Sequence, residues 1–130
     1  MKILLVDDSR FLRRACEQAL RRAGYEVITA ADGEEALRMA QKQIPNLILL
    51  DMMLPKVPGL EVLRALKQEG TTKDIPVIIL TGLSERNADR LLQEGAISYV
   101  EKSDTLLEKD GAALIQAVTR VIGNAAGSKS

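Results

Sequence analysis

Three unbroken aliphatic stretches each stop on a side chain that carries chemistry. Ile3-Leu4-Leu5-Val6 runs into Asp7 and Asp8, Leu47-Ile48-Leu49-Leu50 into Asp51, and Val77-Ile78-Ile79-Leu80 into Thr81. A half-buried strand alternates apolar and polar residues, so four aliphatic residues in a row predict a strand covered on both faces. Such strands need a layer of structure on either side, and the segments between them carry the spacing of amphipathic helices. Asp51 at its strand end reads either as a functional carboxylate at the mouth of a site or as a cap for the next turn.

After Asp8, Ser9 is the expected N-cap of a first helix whose core stripe is Leu12, Ala15, Cys16, Ala19, Leu20 and Ala23, with Gly24 as its stop. Tyr25–Ala30 is a less continuously apolar strand, which suits the sheet edge. Asp32 caps a second helix that turns Ala36, Leu37, Met39 and Ala40 inward and ends at Ile44-Pro45. The loop from Met52 to Gly59 holds Pro55 and Pro58 and precedes a third helix on Leu60, Val62, Leu63 and Leu66, closed by Gly70. A fourth helix starts at Ser84 or Glu85 and runs through Leu91 and Leu92 to Gly95. A fifth strand, Ile97–Val100, ends at Glu101 and Lys102, and a last helix carries Leu114, Ile115, Ala117, Val118, Val121 and Ile122. Strict β-α alternation predicts an α/β fold with a five-stranded parallel sheet, helices on both faces and right-handed crossovers. Placing the most apolar strands at the centre gives the order 2-1-3-4-5, the doubly wound flavodoxin-like (βα)5 arrangement, with its switch point between strands one and three. Residues 1–123 are expected to form one domain and 124–130 a flexible tail or the start of a linker.

The composition narrows the chemistry. The 130 residues include eighteen basic and eighteen acidic side chains, so no net field favours nucleic acid or a membrane surface. No apolar run is long enough to span a bilayer or serve as a secretory signal, and a cytoplasmic location is expected. Histidine is absent and Cys16 stands alone on a core stripe, which removes imidazole acid-base chemistry and thiolate-imidazole zinc sites.

In a parallel sheet the ends of strands one, three, four and five open on one edge, which brings together Asp7, Asp8, Asp51, Thr81 and Lys102. Carboxylates so placed repel one another and call for a divalent cation, and hard oxygen ligands that leave room for water favour Mg2+. With a lysine opposite and a hydroxyl alongside, the site suits a phosphoryl group, and a carboxylate can itself take that group as an acyl phosphate. Asp51, central and followed by a loop, is the expected acceptor.

These residues resemble the receiver domain of bacterial two-component response regulators. The marks are Asp7-Asp8 after an aliphatic strand, Asp51-Met52-Met53-Leu54-Pro55, Pro58-Gly59-Leu60, Leu80-Thr81-Gly82, and Tyr99 with Lys102, in order from Lys2 to about Ile122. The resemblance implies a phosphorelay switch rather than an enzyme, phosphorylated on Asp51 by a sensor histidine kinase or phosphotransfer protein. It implies Mg2+ held by Asp8 directly, by Asp7 mainly through water, by Asp51 and by the Met53 carbonyl. Thr81 would bond the phosphoryl group, Lys102 would pair with it, and Tyr99 would change rotamer as Thr81 moves. The output would be a separate docking protein or a fused output domain, with no direct binding of nucleic acid and no membrane. An aspartate-nucleophile phosphohydrolase is the rival reading, but it needs an acid where Met53 stands. A flavin-binding domain needs a hydroxyl- and glycine-rich loop where Asp7-Asp8-Ser9-Arg10 stands, and a phosphorylation-independent module would be keeping a vestigial site.

The chain departs from the resemblance in two places, and a pair of apolar side chains flanks its site. Ser103 follows Lys102 where the family usually has a cis proline, so a trans bond and a re-routed loop are expected, with a capping box from Thr105 to Glu108 before Gly111 breaks the turn. Val57-Pro58 should stiffen the loop beside Asp51. The apolar side chains of Met53 and Leu83 should shield a phosphoryl group from water. Two basic faces are candidate docking surfaces: Arg10, Arg13, Arg14, Arg21 and Arg22 on the first helix, and Arg86 and Arg90 on the fourth.

Overall fold

The computed structural model describes residues 1–82, 85–102 and 106–127, the side chains of 85–88 and 124–127 excepted. Ten elements alternate as expected: β1 (Lys2–Val6), α1 (Arg10–Arg22), β2 (Glu26–Ala30), α2 (Gly33–Gln43), β3 (Leu47–Asp51), α3 (Gly59–Gln68), β4 (Val77–Thr81), α4 (Glu85–Gln93), β5 (Ser98–Glu101) and α5 (Glu108–Gly127). The strands form one parallel sheet in the order β2-β1-β3-β4-β5.

The aliphatic tetrads are continuous because each strand feeds two cores. Leu4, Val6, Ile48, Leu50, Val77 and Ile79 face one way and pack with Ala36 and Ala40 of α2, Val62, Leu63 and Leu66 of α3 and Leu91 of α4. Ile3, Leu5, Leu47, Leu49, Ile78 and Leu80 face the other way, against Cys16 and Leu20 of α1 and Leu114 and Val118 of α5. Burying a leucine or isoleucine contributes roughly 1.5–3 kcal/mol, so the central strands anchor the fold and hold their carboxyl ends in fixed register.

Local chemistry sets the helix ends. The Ser9 hydroxyl accepts from the Leu12 N–H at 3.3 Å, and the Asp32 carboxylate accepts from the Glu35 N–H at 2.8 Å. Gly24 takes φ +99° just beyond α1. At the start of α5, Lys109, Asp110 and Gly111 lie consecutively in left-handed conformation, so the break at Gly111 begins two residues early. The helical backbone then continues to Gly127, past Gly123, where the sequence predicted a tail. The Lys102-Ser103 bond, the Thr105 cap, Leu83 and Ser84 lie outside the described residues, as does the side chain of Arg86.

Gly59 allows α3 to start against the end of β3. A Cβ there would lie 2.7 Å from both the Asp51 carbonyl oxygen and the Met52 Cα, backbone atoms with nowhere to go. Gly59→Ala should lower stability by about 1–3 kcal/mol, read as a fall in the urea midpoint.

Candidate functional site

The residues expected from sequence arrive at one sheet edge by different routes. Asp51 is the last residue of β3 and Thr81 the last of β4, while Asp7 and Lys102 each follow the last residue of a strand. The Lys102 N–H donates to the Thr81 carbonyl at 2.8 Å, so the β4–β5 ladder sets the base of the lysine side chain. Asp7 and Asp51 are 0% and 1% exposed, Thr81 is buried, and Asp8 lies open to solvent.

Each oxygen of this cluster has a definite setting. Asp51 Oδ1 accepts from the Met53 N–H at 3.1 Å, and Oδ2 accepts from Lys102 Nζ at 3.2 Å. Asp7 Oδ1 accepts from the Ser9 N–H at 2.9 Å. Asp7 Oδ2 is buried without a hydrogen bond, although Lys102 Nζ stands 3.4 Å away as an ion-pair partner. One carboxylate oxygen from each of Asp7, Asp8 and Asp51 falls within 4.8 Å of the others. Three carboxylates against one ammonium leave a formal excess of two negative charges, which a divalent cation would offset. An unsatisfied buried carboxylate oxygen facing the cluster fits such an ion, and an all-oxygen donor set fits Mg2+.

The electrostatics carry the same message. Burial, and secondarily the nearby Asp7 charge, push the Asp51 carboxyl up to about 6 against the opposing Met53 N–H and Lys102. Burial alone would make Lys102 easier to deprotonate, but Asp7 and Asp51 outweigh it and hold the ammonium protonated above its ordinary range. Cys16 lies beneath this cluster with its thiol pushed up to about 11 by burial, which suits an inert core residue.

Tyr99 sits half-buried on edge strand β5 and packs with the α2–α3 side of the core. It also borders a hollow of about 430 Å³ that includes Ile97, Ala117, Arg120 and Val121. Met53 projects from the mouth of the site, 77% exposed, beside a hollow of about 510 Å³ lined by Asp8, Met52, Leu54, Pro55 and Pro58. The loop that carries it is tied to α2. Lys56 Nζ lies 3.6 Å from Asp32 Oδ2, and Val57 packs where a Gly33 side chain would be.

Two features escaped the sequence reading. Phe11 is 79% exposed on α1, beside Arg10, Arg14 and Gln18, although its aromatic ring gave a signal on the page. Arg13 was expected on the solvated basic face, but its guanidinium turns back and donates to the Asp7 carbonyl at 2.8 Å.

Comparison with known proteins gives one family. The model of the response regulator receiver domain matches residues 3–115. The probable transcriptional regulator ycf27 of Cyanophora paradoxa is 50% identical over 103 residues, covering 78% of this chain and 41% of that protein. The chain spans about half or less of the length of the curated regulators it matches. Among solved structures, the chemotaxis response regulator CheY4 of Vibrio cholerae superposes with a TM-score of 0.83 at 34% identity, covering 92% of this chain and 97% of that one. The receiver domain of a sensor histidine kinase from Pseudomonas aeruginosa, which holds a magnesium ion in its active site cleft, matches at a TM-score of 0.81 and 32% identity. That match covers 94% of this chain and 97% of the other.

Proposed function

The chain belongs to the response regulator receiver domain family, and from that premise we propose that it is a switch thrown by Mg2+-dependent phosphorylation of Asp51 and read by protein docking. The observation that carries the reading is the setting of the Asp51 carboxylate. It is buried, held at one oxygen by the Met53 N–H and at the other by Lys102, beside an Asp7 oxygen that lacks a hydrogen bond.

The donor is a phosphohistidine on a histidine kinase or phosphotransfer protein. An Asp51 oxygen attacks the phosphorus, the P–N bond breaks with its electron pair returning to the imidazole nitrogen, and an acyl phosphate remains on Asp51. With its carboxyl near 6, Asp51 is mostly ionised at neutral pH and ready as a nucleophile. Asp7, Asp8, Asp51 and the Met53 carbonyl are the groups that would hold Mg2+, which when bound offsets charge on the transferring phosphoryl group. Lys102 then leaves its Asp51 pairing to support a phosphoryl oxygen, the Thr81 hydroxyl donates to another, and Tyr99 follows Thr81. The added charge of about −1.5 to −2 is what biases the two states.

The donor's docking surface is the first half of α1, where Arg10, Arg14 and exposed Phe11 lie just beyond Asp8 and Ser9. Charge complementarity selects an acidic face with an apolar pocket. Residues 1–123 form the switching unit. The relatives of roughly twice this length are described as transcriptional regulators, which supports an output region fused to the receiver in those proteins and a docking partner or fused domain here.

Incubation with Mg2+ and a small acyl phosphate should yield an intact mass about 80 Da higher, one phosphoryl group replacing a proton. Asp51→Asn should show no adduct, and chelation should abolish it in the wild type. A wild-type chain that binds Mg2+ but takes no phosphoryl group would overturn the reading.

A further inference from the structure

We propose that Arg13 is a positioning residue for the divalent cation, fixing the peptide that joins the two acidic residues after β1. The inference rests on the reading of the site given above and adds to it a residue outside the acidic cluster.

Asp7 is held at three of its four polar atoms. Its N–H donates to the Ala30 carbonyl at 3.1 Å, its Oδ1 accepts from the Ser9 N–H, and its carbonyl accepts from Arg13 Nη1 at 2.8 Å. The fourth, Oδ2, is the buried oxygen without a hydrogen bond. The bond from Arg13 bears on the peptide between Asp7 and Asp8. A change in ψ of Asp7 that takes its carbonyl off Arg13 also redirects the chain into Asp8, and the Asp8 carboxylate then leaves the ligand atoms that now lie within 4.8 Å of one another. The anchor is well chosen for the task. Arg13 lies on the first turns of α1, a helix pinned to the core by Cys16, Ala19 and Leu20, and reaches back six residues to the loop. Arg10, Arg14, Arg21 and Arg22 remain exposed, whereas Arg13 is half-buried, so it has left the basic face to which its helical position assigns it.

The guanidinium charge works against this role, because a cation near the acidic cluster repels a second one. The two effects therefore predict opposite signs. Groups that orient metal ligands without touching the metal typically change affinity 10–100-fold when removed. Mg2+ affinity is read from the rise in thermal midpoint between chelator and increasing Mg2+, which depends on the ratio of free cation to Kd. Arg13→Ala is expected to weaken Mg2+ binding about tenfold, and Arg13→Lys, which keeps a donor and the charge, to stay within about threefold of wild type. Should Arg13→Ala not fold, Arg13→Met keeps the aliphatic stem without the donor or the charge and is expected to weaken Mg2+ binding as alanine does. Acyl phosphate labelling of the variants should return to within about twofold of wild type at saturating Mg2+, because the defect lies in seating the cation.

Unchanged or tighter Mg2+ binding in Arg13→Ala, or in Arg13→Met where the alanine variant does not fold, would overturn the proposal and leave Arg13 as a brace for α1 or an opposing charge. A labelling defect that persists at saturating Mg2+ would also overturn it. Absence of any Mg2+ effect on the wild type would instead remove the underlying reading of the site.

Discussion

Asp51→Asn is expected to be more stable than the wild-type chain at pH 7 in the presence of chelator, although it removes the proposed acceptor. Burial raises the Asp51 carboxyl from 3.8 to about 6 in the folded chain. Below pH 4 the group is protonated in both folded and unfolded states and contributes no slope. Between 4 and 6 the unfolded chain loses the proton while the folded chain retains it, so stability falls as pH rises, and above 6 the loss is complete. A shift of this size corresponds to a loss on the order of 3 kcal/mol. Asparagine has nothing to ionise and escapes the loss. Asp32 and Glu94 act the other way, because the Glu35 N–H holds the first below its ordinary range and Arg64 the second. Their contributions are common to both proteins and cancel in the difference. Urea unfolding at pH 4, 5, 6 and 7 with chelator should show the two proteins diverging with rising pH, by about 2–3 kcal/mol at the top of the range. Parallel profiles would mean that the Asp51 charge is fully satisfied by Lys102. Adding Mg2+ should close the gap by stabilising the wild type more than the variant, since a ligand stabilises the state that binds it.

The same buried charges explain why so much of this molecule could be read before its structure was seen. A strand covered on both faces has to be aliphatic throughout, so Leu47–Leu50 could be nothing else, and the first polar residue beyond it had to emerge at the sheet edge. Parallel topology then gathered Asp7, Asp51, Thr81 and Lys102, which are far apart in sequence. Caps were legible for a similar reason, since Ser9 and Asp32 bond their own neighbours three residues on. What periodicity does not encode is the reach of a long side chain. It placed Arg13 at the correct angle on α1 and still missed its bond, because a guanidinium can turn back along the helix to a carbonyl six residues earlier. Backbone conformation that violates residue preference was equally hidden. Gly111 announces a break, whereas left-handed Lys109 and Asp110 do not. The helical backbone from Gly123 to Gly127 was hidden as well, because Gly123, Asn124 and Gly127 are weak helix formers.

Met53→Asn should shorten the life of the phosphorylated state about tenfold, below the roughly hundredfold at which positioned proton-transfer groups begin, because an amide orients a water without taking its proton. Loss of the phosphoryl group requires a water oxygen to attack phosphorus from the open side, with the P–O bond to Asp51 breaking and the carboxylate re-forming. Met53 stands at that opening, exposed and apolar, and its thioether is at best a weak acceptor for a water. An asparagine amide at the same place offers both a donor and an acceptor to orient the attacking water. Its backbone N–H, which bonds Asp51 Oδ1 at 3.1 Å, is untouched by the change. Because the side chain is exposed, folding stability should move by no more than about 0.5 kcal/mol, so a kinetic effect cannot be blamed on a loosened fold. The measurement is phosphate release from purified, labelled protein after removal of the donor, in Mg2+, for wild type and variant side by side. A wild-type lifetime of seconds that Met53→Asn leaves unaltered would show that the apolar side chain is no barrier. A long wild-type lifetime that the asparagine cuts would make Met53 the residue that sets how long the signal persists.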